Sequence, residues 1–194
     1  MTLLRLATAR DSAALVAIYR PYVERTSISF ETQVPSEAEF RRRILEFSAK
    51  YPYIVAEESG KILGYAYAHA FHDRAAYGWT VETSIYVAQA ARGRHVGRRL
   101  YGALLALLEA QGVKNACAVI TVPNKPSIGF HRAMGFETGG ILPDFGYKLG
   151  AWHSVAYLCR RLGDSSDAPA PVVPIGHLDS ALVARILTEA GTIS

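Results

Sequence analysis

The chain predicts an α/β fold, with a mixed central sheet of about six to seven strands flanked by helices. Short strand-like runs, such as Tyr53–Glu57, Thr80–Val87 and Ala116–Val122, alternate with stretches of helical period. In the middle of the chain a strand, a basic glycine-containing turn and a long amphipathic helix follow one another directly. The length of 194 residues, half of them hydrophobic and 20% charged, is enough for one well-buried core. That composition excludes a largely disordered chain, and 16 glycines and 9 prolines exclude collagen-like or low-complexity classes.

The elements follow in order. Leu3–Leu6 reads as a short strand. Asp11 stands where an N-cap belongs, ahead of a helix with Leu15, Ile18, Tyr19 and Tyr22 on one face, and Pro21 is expected to kink or end it. Thr26–Gln33 is polar and aromatic and reads as a loop. Ser36 and Glu39 have capping-box spacing, and Phe40, Ile44 and Phe47 follow at helical intervals, leaving Arg41, Arg42 and Arg43 largely outward. Tyr53–Glu57 and Ile62–Phe71, joined by the turn Glu58-Ser59-Gly60-Lys61, form a hairpin. The loop His72–Trp79 leads into the strand Thr80–Val87. There Glu82, Ser84 and Tyr86 share one face, and Val81, Thr83, Ile85 and Val87 the other. A helix over Arg98–Gln111 carries the stripe Leu100, Leu104, Leu107 and Leu108, and Gly112 ends it. Ala116–Val122 is a buried strand. Pro123-Asn124-Lys125-Pro126 breaks it, and Pro126 opens a helix running through Met134 and closed by Gly135. Strands near Glu137–Leu142 and Ser154–Arg161 complete the sheet. Composition then shifts, which divides the chain into a domain of residues 1–162, a Pro-rich linker of 163–177 and a short helical tail of 178–194.

The net charge of +4 is uneven: residues 1–162 hold 20 Lys and Arg against 13 Asp and Glu, while the remainder is acidic. The densest positive segment is Arg92-Gly93-Arg94-His95-Val96-Gly97-Arg98-Arg99. It opens a helix, where unpaired amide N–H groups and the positive end of the helix dipole favour an anion such as phosphate. A basic solvated turn is the competing reading. The segment is neither a Walker A loop nor a dinucleotide fingerprint. A nucleic-acid-binding module using Arg92–Arg99 is the alternative of another class; it would carry interleaved aromatics, and none stands between Val87 and Leu100. The apolar runs are too short to cross a membrane, and charged residues interrupt any leader at the start. Cys117 and Cys159 are too few for a disulfide framework, so a reduced, cytoplasmic protein is expected. His69 and His72 are the only close histidine pair and lack supporting ligands, so no metal is expected.

The runs Glu82-Thr83-Ser84-Ile85-Tyr86-Val87, Arg92-Gly93-Arg94-His95-Val96-Gly97 and Pro123-Asn124-Lys125-Pro126-Ser127, followed by His131 and Gly135-Phe136, resemble the GNAT superfamily of acetyl-CoA-dependent N-acetyltransferases. Tyr22-Val23-Glu24, Trp79-Thr80-Val81-Glu82 and Trp152-His153 bring the resemblance closer to the phosphinothricin, methionine sulfone and methionine sulfoximine N-acetyltransferases. It covers roughly residues 3–162. The resemblance implies a GNAT-like sheet with a splayed strand pair holding acetyl-CoA, a small-molecule amine as acceptor, and a homodimer. It implies that the backbone of Arg92, Gly93, Arg94, His95, Val96 and Gly97 takes the pyrophosphate. Ile85, Tyr86 and Val87 would pair with the pantetheine, with Asn124 and Ser127 close to it. His95 departs from the Gly or Ala usual at its position.

Acyl transfer to an amine needs a group that removes the ammonium proton. The resemblance implies Glu82, whose partial burial would raise its affinity for a proton; a structural carboxylate is the competing reading. It places His131 where many relatives have a tyrosine that assists the leaving thiolate, and Ser127 shares its helix face; help in deprotonating the amine and a structural histidine are the competing readings. Arg74 is implied for a substrate carboxylate, and Phe30, Tyr77 and Lys148 for the pocket wall, against ordinary packing or solubility. Neither cysteine has the basic partner of a nucleophile, so direct attack is expected. A protein N-terminus, a lysine or a polyamine is the alternative acceptor.

Overall fold

Side chains that alternate along the strands send the two faces of the sheet into separate layers. The computed structural model of the protein describes residues 2–164 and 168–192. The strands are β1 (Leu3–Leu6), β2 (Tyr53–Glu58), β3 (Lys61–Ala70), β4 (Thr80–Val87), β5 (Asn115–Val122), β6 (Glu137–Lys148) and β7 (Ala151–Arg161). They form one sheet in the order β1-β2-β3-β4-β5-β7-β6, antiparallel except for the central β4–β5 pair. The helices are α1 (Ser12–Arg25), α2 (Glu37–Ser48), α3 (Val96–Ala110), α4 (Lys125–Ala133) and α5 (Ser180–Gly191).

One layer buries Leu15, Val23, Phe40 and Ile44 of α1 and α2 against Tyr53, Val55 and Tyr65. The other buries the α3 stripe Leu100, Leu104, Leu107 and Leu108 against Ile54, Ala66, Val81, Ala116 and Leu158. The predicted stripe is therefore the centre of the larger core. Each of its leucines contributes about 2–5 kcal/mol against truncation to alanine.

The structure corrects several boundaries. Pro21 lies inside α1 and does not end it. The carbonyl its missing N–H leaves unbonded belongs to Ala17, an exposed residue, while Tyr22 and Val23 are buried beyond it. The Asp11 carboxylate does not cap α1: it accepts from the Arg5 guanidinium at 2.8 and 2.9 Å and from the Thr8 amide at 2.7 Å. Arg41 and Arg42 face outward, while Arg43 is half-buried over the Phe40 ring; the three pair with Glu37, Glu39, Glu46 and Glu31. Helix α3 begins at Val96, two residues before the expected start. Strands β6 and β7 extend well past their predicted limits, because register shifts at Thr138/Gly140 and Leu142/Gly146 break the alternation that marks a strand. Pro143 is accommodated because β6 is the edge of the sheet.

The C-terminal segment is fastened to the rest. The amide of Val173 donates to Gln111 O, and the Gln111 side chain donates to the carbonyls of Val173 and Lys50. Ile175, Leu187 and Ala190 are buried in the α3 core. Of the expected linker and tail, Ser165–Asp167, Ile193 and Ser194 lie outside the described residues. No helix among the described residues is long and apolar enough to cross a membrane.

Candidate active site

Strands β4 and β5 are paired only at Thr80–Asn115, Val81–Ala116 and Glu82–Cys117. Beyond Glu82 they part, although β4 stays paired with β3 to Val87 and β5 with β7 to Val122. The facing edges of the two strands thus enclose a gap lined by Thr83, Ser84, Ile85, Tyr86, Ala118, Val119, Ile120 and Thr121. A backbone edge inside a sheet needs hydrogen-bond partners, so the gap suits an extended ligand bearing amides.

The gap opens into a cleft of about 610 Å³ between α3 and α4. Ile85, Val87, Arg92, Gly93, His95, Val96, Gly97, Asn124, Ser127 and His131 line it, so most of the expected cofactor residues meet here. Gly93 and His95 both take left-handed backbone, with φ of 76° and 60°. For glycine this costs nothing; for His95 it costs about 1–2 kcal/mol, and the turn keeps its shape. The amides of the first turn of α3 have no intrahelical acceptors, no acidic side chain stands there, and Arg92 and Arg98 add positive charge at the cleft.

Two of the expected cofactor residues turn their side chains elsewhere, which leaves the backbone that the resemblance assigns to the donor. The Arg94 guanidinium is engaged by Glu58 at 2.6 Å and does not line the cleft. The Tyr86 ring packs edge-on against Tyr19 and Tyr22 in the α1 layer, so only its backbone reaches the gap. Tyr22, Ile28, Arg98 and Phe130 line the cleft without having been singled out for it. The Tyr22 hydroxyl donates to Val87 O at 2.6 Å, and its ring lies under the Arg92 guanidinium at 5.6 Å. Only the helical spacing of Tyr22 behind Ile18 and Tyr19 hinted at its burial.

On the cleft side, Asn124 caps α4 by accepting from the Ser127 amide at 3.2 Å. One turn later His131 is buried among the rings of Tyr101, Phe130 and Phe136. Its Nδ1 lies 2.8 Å from the Ser127 carbonyl. A carbonyl only accepts, so Nδ1 carries a proton, and in the neutral ring the lone pair falls on Nε2. Burial lowers its pKa below the ordinary histidine value, while the Ser127 carbonyl opposes that shift.

On the opposite face of β4, Glu82 is nearly three-quarters buried, with His69 Nε2 3.9 Å from its Oε1. Burial raises its pKa above the ordinary carboxylate value against the opposing pull of His69 and His72. Arg74 and Tyr77 lie exposed in the loop before β4, with Tyr77 packed on Phe71 and His72. Phe30 sits against Gly146. Lys148 is buried, and its ammonium donates to the Ser29 carbonyl at 2.6 Å. Cys117 and Cys159 are register partners whose sulfurs are 3.5 Å apart, and burial raises the Cys117 pKa well above the ordinary thiol value.

A sheet opened between two strands beside a free helix start is an architecture suited to an acyltransferase. The Acetyltransferase (GNAT) domain matches residues 4–155, and the chain belongs to that family of acetyltransferases. It is 38% identical to a phosphinothricin N-acetyltransferase of Streptomyces viridochromogenes over 172 residues, covering 89% of this chain and 92% of that one. It is 32% identical to an L-methionine sulfoximine/L-methionine sulfone acetyltransferase of Pseudomonas aeruginosa, covering 86% and 98% of the two chains. The crystal structure of a phosphinothricin acetyltransferase of Sinorhizobium meliloti in complex with acetyl-CoA superposes with a TM-score of 0.84 at 38% identity, over 92% of this chain and 97% of that one.

Proposed function

We propose that the protein transfers the acetyl group of acetyl-CoA to the amino group of a small amino-acid analogue of the phosphinothricin, methionine sulfone or methionine sulfoximine kind. The observation that carries this reading is the gap between β4 and β5, with an anion-binding helix start and an imidazole on one side and a half-buried carboxylate on the other. The cleft fits the donor: its polar turn suits a pyrophosphate and its inner gap suits an amide-bearing arm. The names of the relatives support the acceptor class.

Glu82 removes a proton from the ammonium substrate, directly or through water, and the free amine attacks the thioester carbonyl. His131 Nε2 then takes the proton that the nitrogen sheds on acylation and returns it to the departing thiolate. A neutral ring with its lone pair on Nε2 suits that sequence, since it must accept before it gives. Arg74 pairs with the carboxylate of the acceptor. Two copies associate through the exposed Phe145, Tyr147, Leu149 and Trp152 of the β6–β7 hairpin, each about 60% exposed in the single chain.

The test is thiol release from acetyl-CoA with phosphinothricin, methionine sulfone, methionine sulfoximine, a polyamine and a lysine peptide. Turnover on one of the first three is expected. Turnover confined to the polyamine or the peptide overturns the acceptor class.

A further inference from the structure

The gap divides the sheet into two halves, β1–β4 and β5–β7–β6, joined directly only by the three β4–β5 pairs. The loop between α1 and α2 crosses from one half to the other. On the α1–α2 side, Glu31 accepts from Arg43 at 2.6 Å and from the Tyr19 hydroxyl at 3.2 Å, and Ser29 Oγ is bonded to the same hydroxyl. On the other side, Lys148 of β6 reaches the Ser29 carbonyl at 2.6 Å. Phe30 seats its ring on Gly146, so close that a Cβ there would fall 2.2 Å from a ring carbon. Between these anchors Ile28 lines both the gap and the cleft.

We infer that Lys148 is a positioning residue: its ammonium is a strut that ties the 26–33 loop to the far half of the sheet and holds Ile28 and Phe30 as the wall of the acceptor site. The inference rests on the acyl-transfer reading for its effect on the reaction, but the strut itself does not. A buried ammonium bonded to a buried carbonyl is a charge-assisted contact that no apolar side chain replaces. Glu31 lies near enough to oppose the effect of burial on that ammonium. Lys148 is therefore held by the loop and holds it in turn, and recognition of a substrate carboxylate falls to other groups.

The test compares Lys148→Met, which keeps the length of the side chain and removes its donors, with Gly146→Ala, which displaces Phe30 and leaves Lys148 intact. Hydrogen exchange reads the loop, and separate KM values read the two substrates. For Lys148→Met, exchange at amides 28–32 is expected to rise about tenfold, with α3 and β5 unchanged. The KM for the amine is expected to rise about tenfold and that for acetyl-CoA by clearly less, since Ile28 is the loop's one residue lining the donor cleft. Gly146→Ala is expected to move the amine KM in the same direction. Unchanged exchange in Lys148→Met refutes the strut. A loosened loop with unchanged amine KM refutes its role as the wall. Equal increases in both KM values with a loss of protection throughout the chain mean a merely structural lysine, and overturn the inference unless Gly146→Ala shows the selective effect. If the wild type acetylates none of the analogues, the acceptor reading fails, and exchange still decides the strut.

Discussion

Replacing Glu82 with Gln separates catalysis from stability in one variant. Gln keeps the size and polarity of the side chain and its place beside His69, but cannot take the proton of an ammonium. A positioned general base is worth about 100- to 10,000-fold in rate. Glu82 is nearly three-quarters buried and its proton affinity is raised, so a loss of at least about 100-fold in kcat/KM at pH 7 is expected, or about 2.7 kcal/mol in the barrier. The wild type should lose activity as pH falls through the raised pKa of Glu82, and this inflection should vanish in Glu82→Gln. Stability should move the other way. A carboxyl whose pKa is higher folded than unfolded binds its proton more tightly in the native state. The wild type therefore loses stability as pH rises from the unfolded value through the folded one, by about 1.4 kcal/mol for each tenfold difference in proton affinity. Glu82→Gln carries no such loss and should be at least as stable as wild type at pH 7, with its advantage gone in acid below the unfolded value. The assays are thiol release from acetyl-CoA across pH and chemical denaturation at matching pH. An unchanged rate and acid limb would refute the base assignment, and a variant markedly less stable at pH 7 would refute the burial argument.

Three other outcomes are expected. Asp11→Asn should cost about 2 kcal/mol by denaturant titration, because it breaks a largely buried ion pair with Arg5. The Arg5 hydrogen bonds hold the Asp11 pKa below its ordinary value, so this contribution is present above the unfolded value and lost as acid carries the pH down through the folded one. Ending the chain after Asp164 removes Ile175, Leu187 and Ala190 from the α3 core and one of the two acceptors of the Gln111 side chain, the Val173 carbonyl; the melting temperature should fall by more than about 5 °C, and a change under about 2 °C would contradict the packing. His95→Gly should leave acetyl-CoA affinity within about twofold by calorimetry, since the turn offers backbone amides and its left-handed φ suits glycine; a tenfold loss would assign the imidazole a contact of its own.

What could be read from the sequence was local. The α3 stripe, the face shared by Glu82, Ser84 and Tyr86, the cap at Ser36 and the basic turn each depend on residues a few positions apart, and periodicity exposes them. The misplaced features are tertiary. Pro21 is tolerated because Ala17 faces water, which no window around Pro21 encodes. Asp11 resembles a cap until Arg5 arrives from the neighbouring strand. Arg94 looks like a phosphate ligand until the β2–β3 turn brings Glu58 beside it. The bulged β6 hides its length because an extra residue resets the alternation. The contacts of Tyr22 and Lys148 could not be read, since their partners Val87, Arg92 and Ser29 are distant in sequence and meet only in the folded sheet.

The opening in the sheet has a physical cause in the way its strands share partners. Strand β4 satisfies one edge completely with β3, and β5 satisfies one edge completely with β7. Their other edges meet in parallel only as far as Glu82 and Cys117, after which β5 runs toward Asn124 and α4 while β4 runs toward the basic turn and α3. Part of the exposed edge is already answered: Thr83 Oγ1 bonds to Tyr101 and to Cys117 O, and the Tyr22 hydroxyl takes Val87 O. These contacts bracket the open stretch and leave Ser84 to Tyr86 as its centre. On the proposed reading, a ligand that enters there would act as a short missing strand, and its reactive end would stop beside the last β4–β5 pair, which is the pair that carries Glu82. The position of the carboxylate and the position of the gap are therefore one feature of the fold: Glu82 stands at the last pair before the strands part.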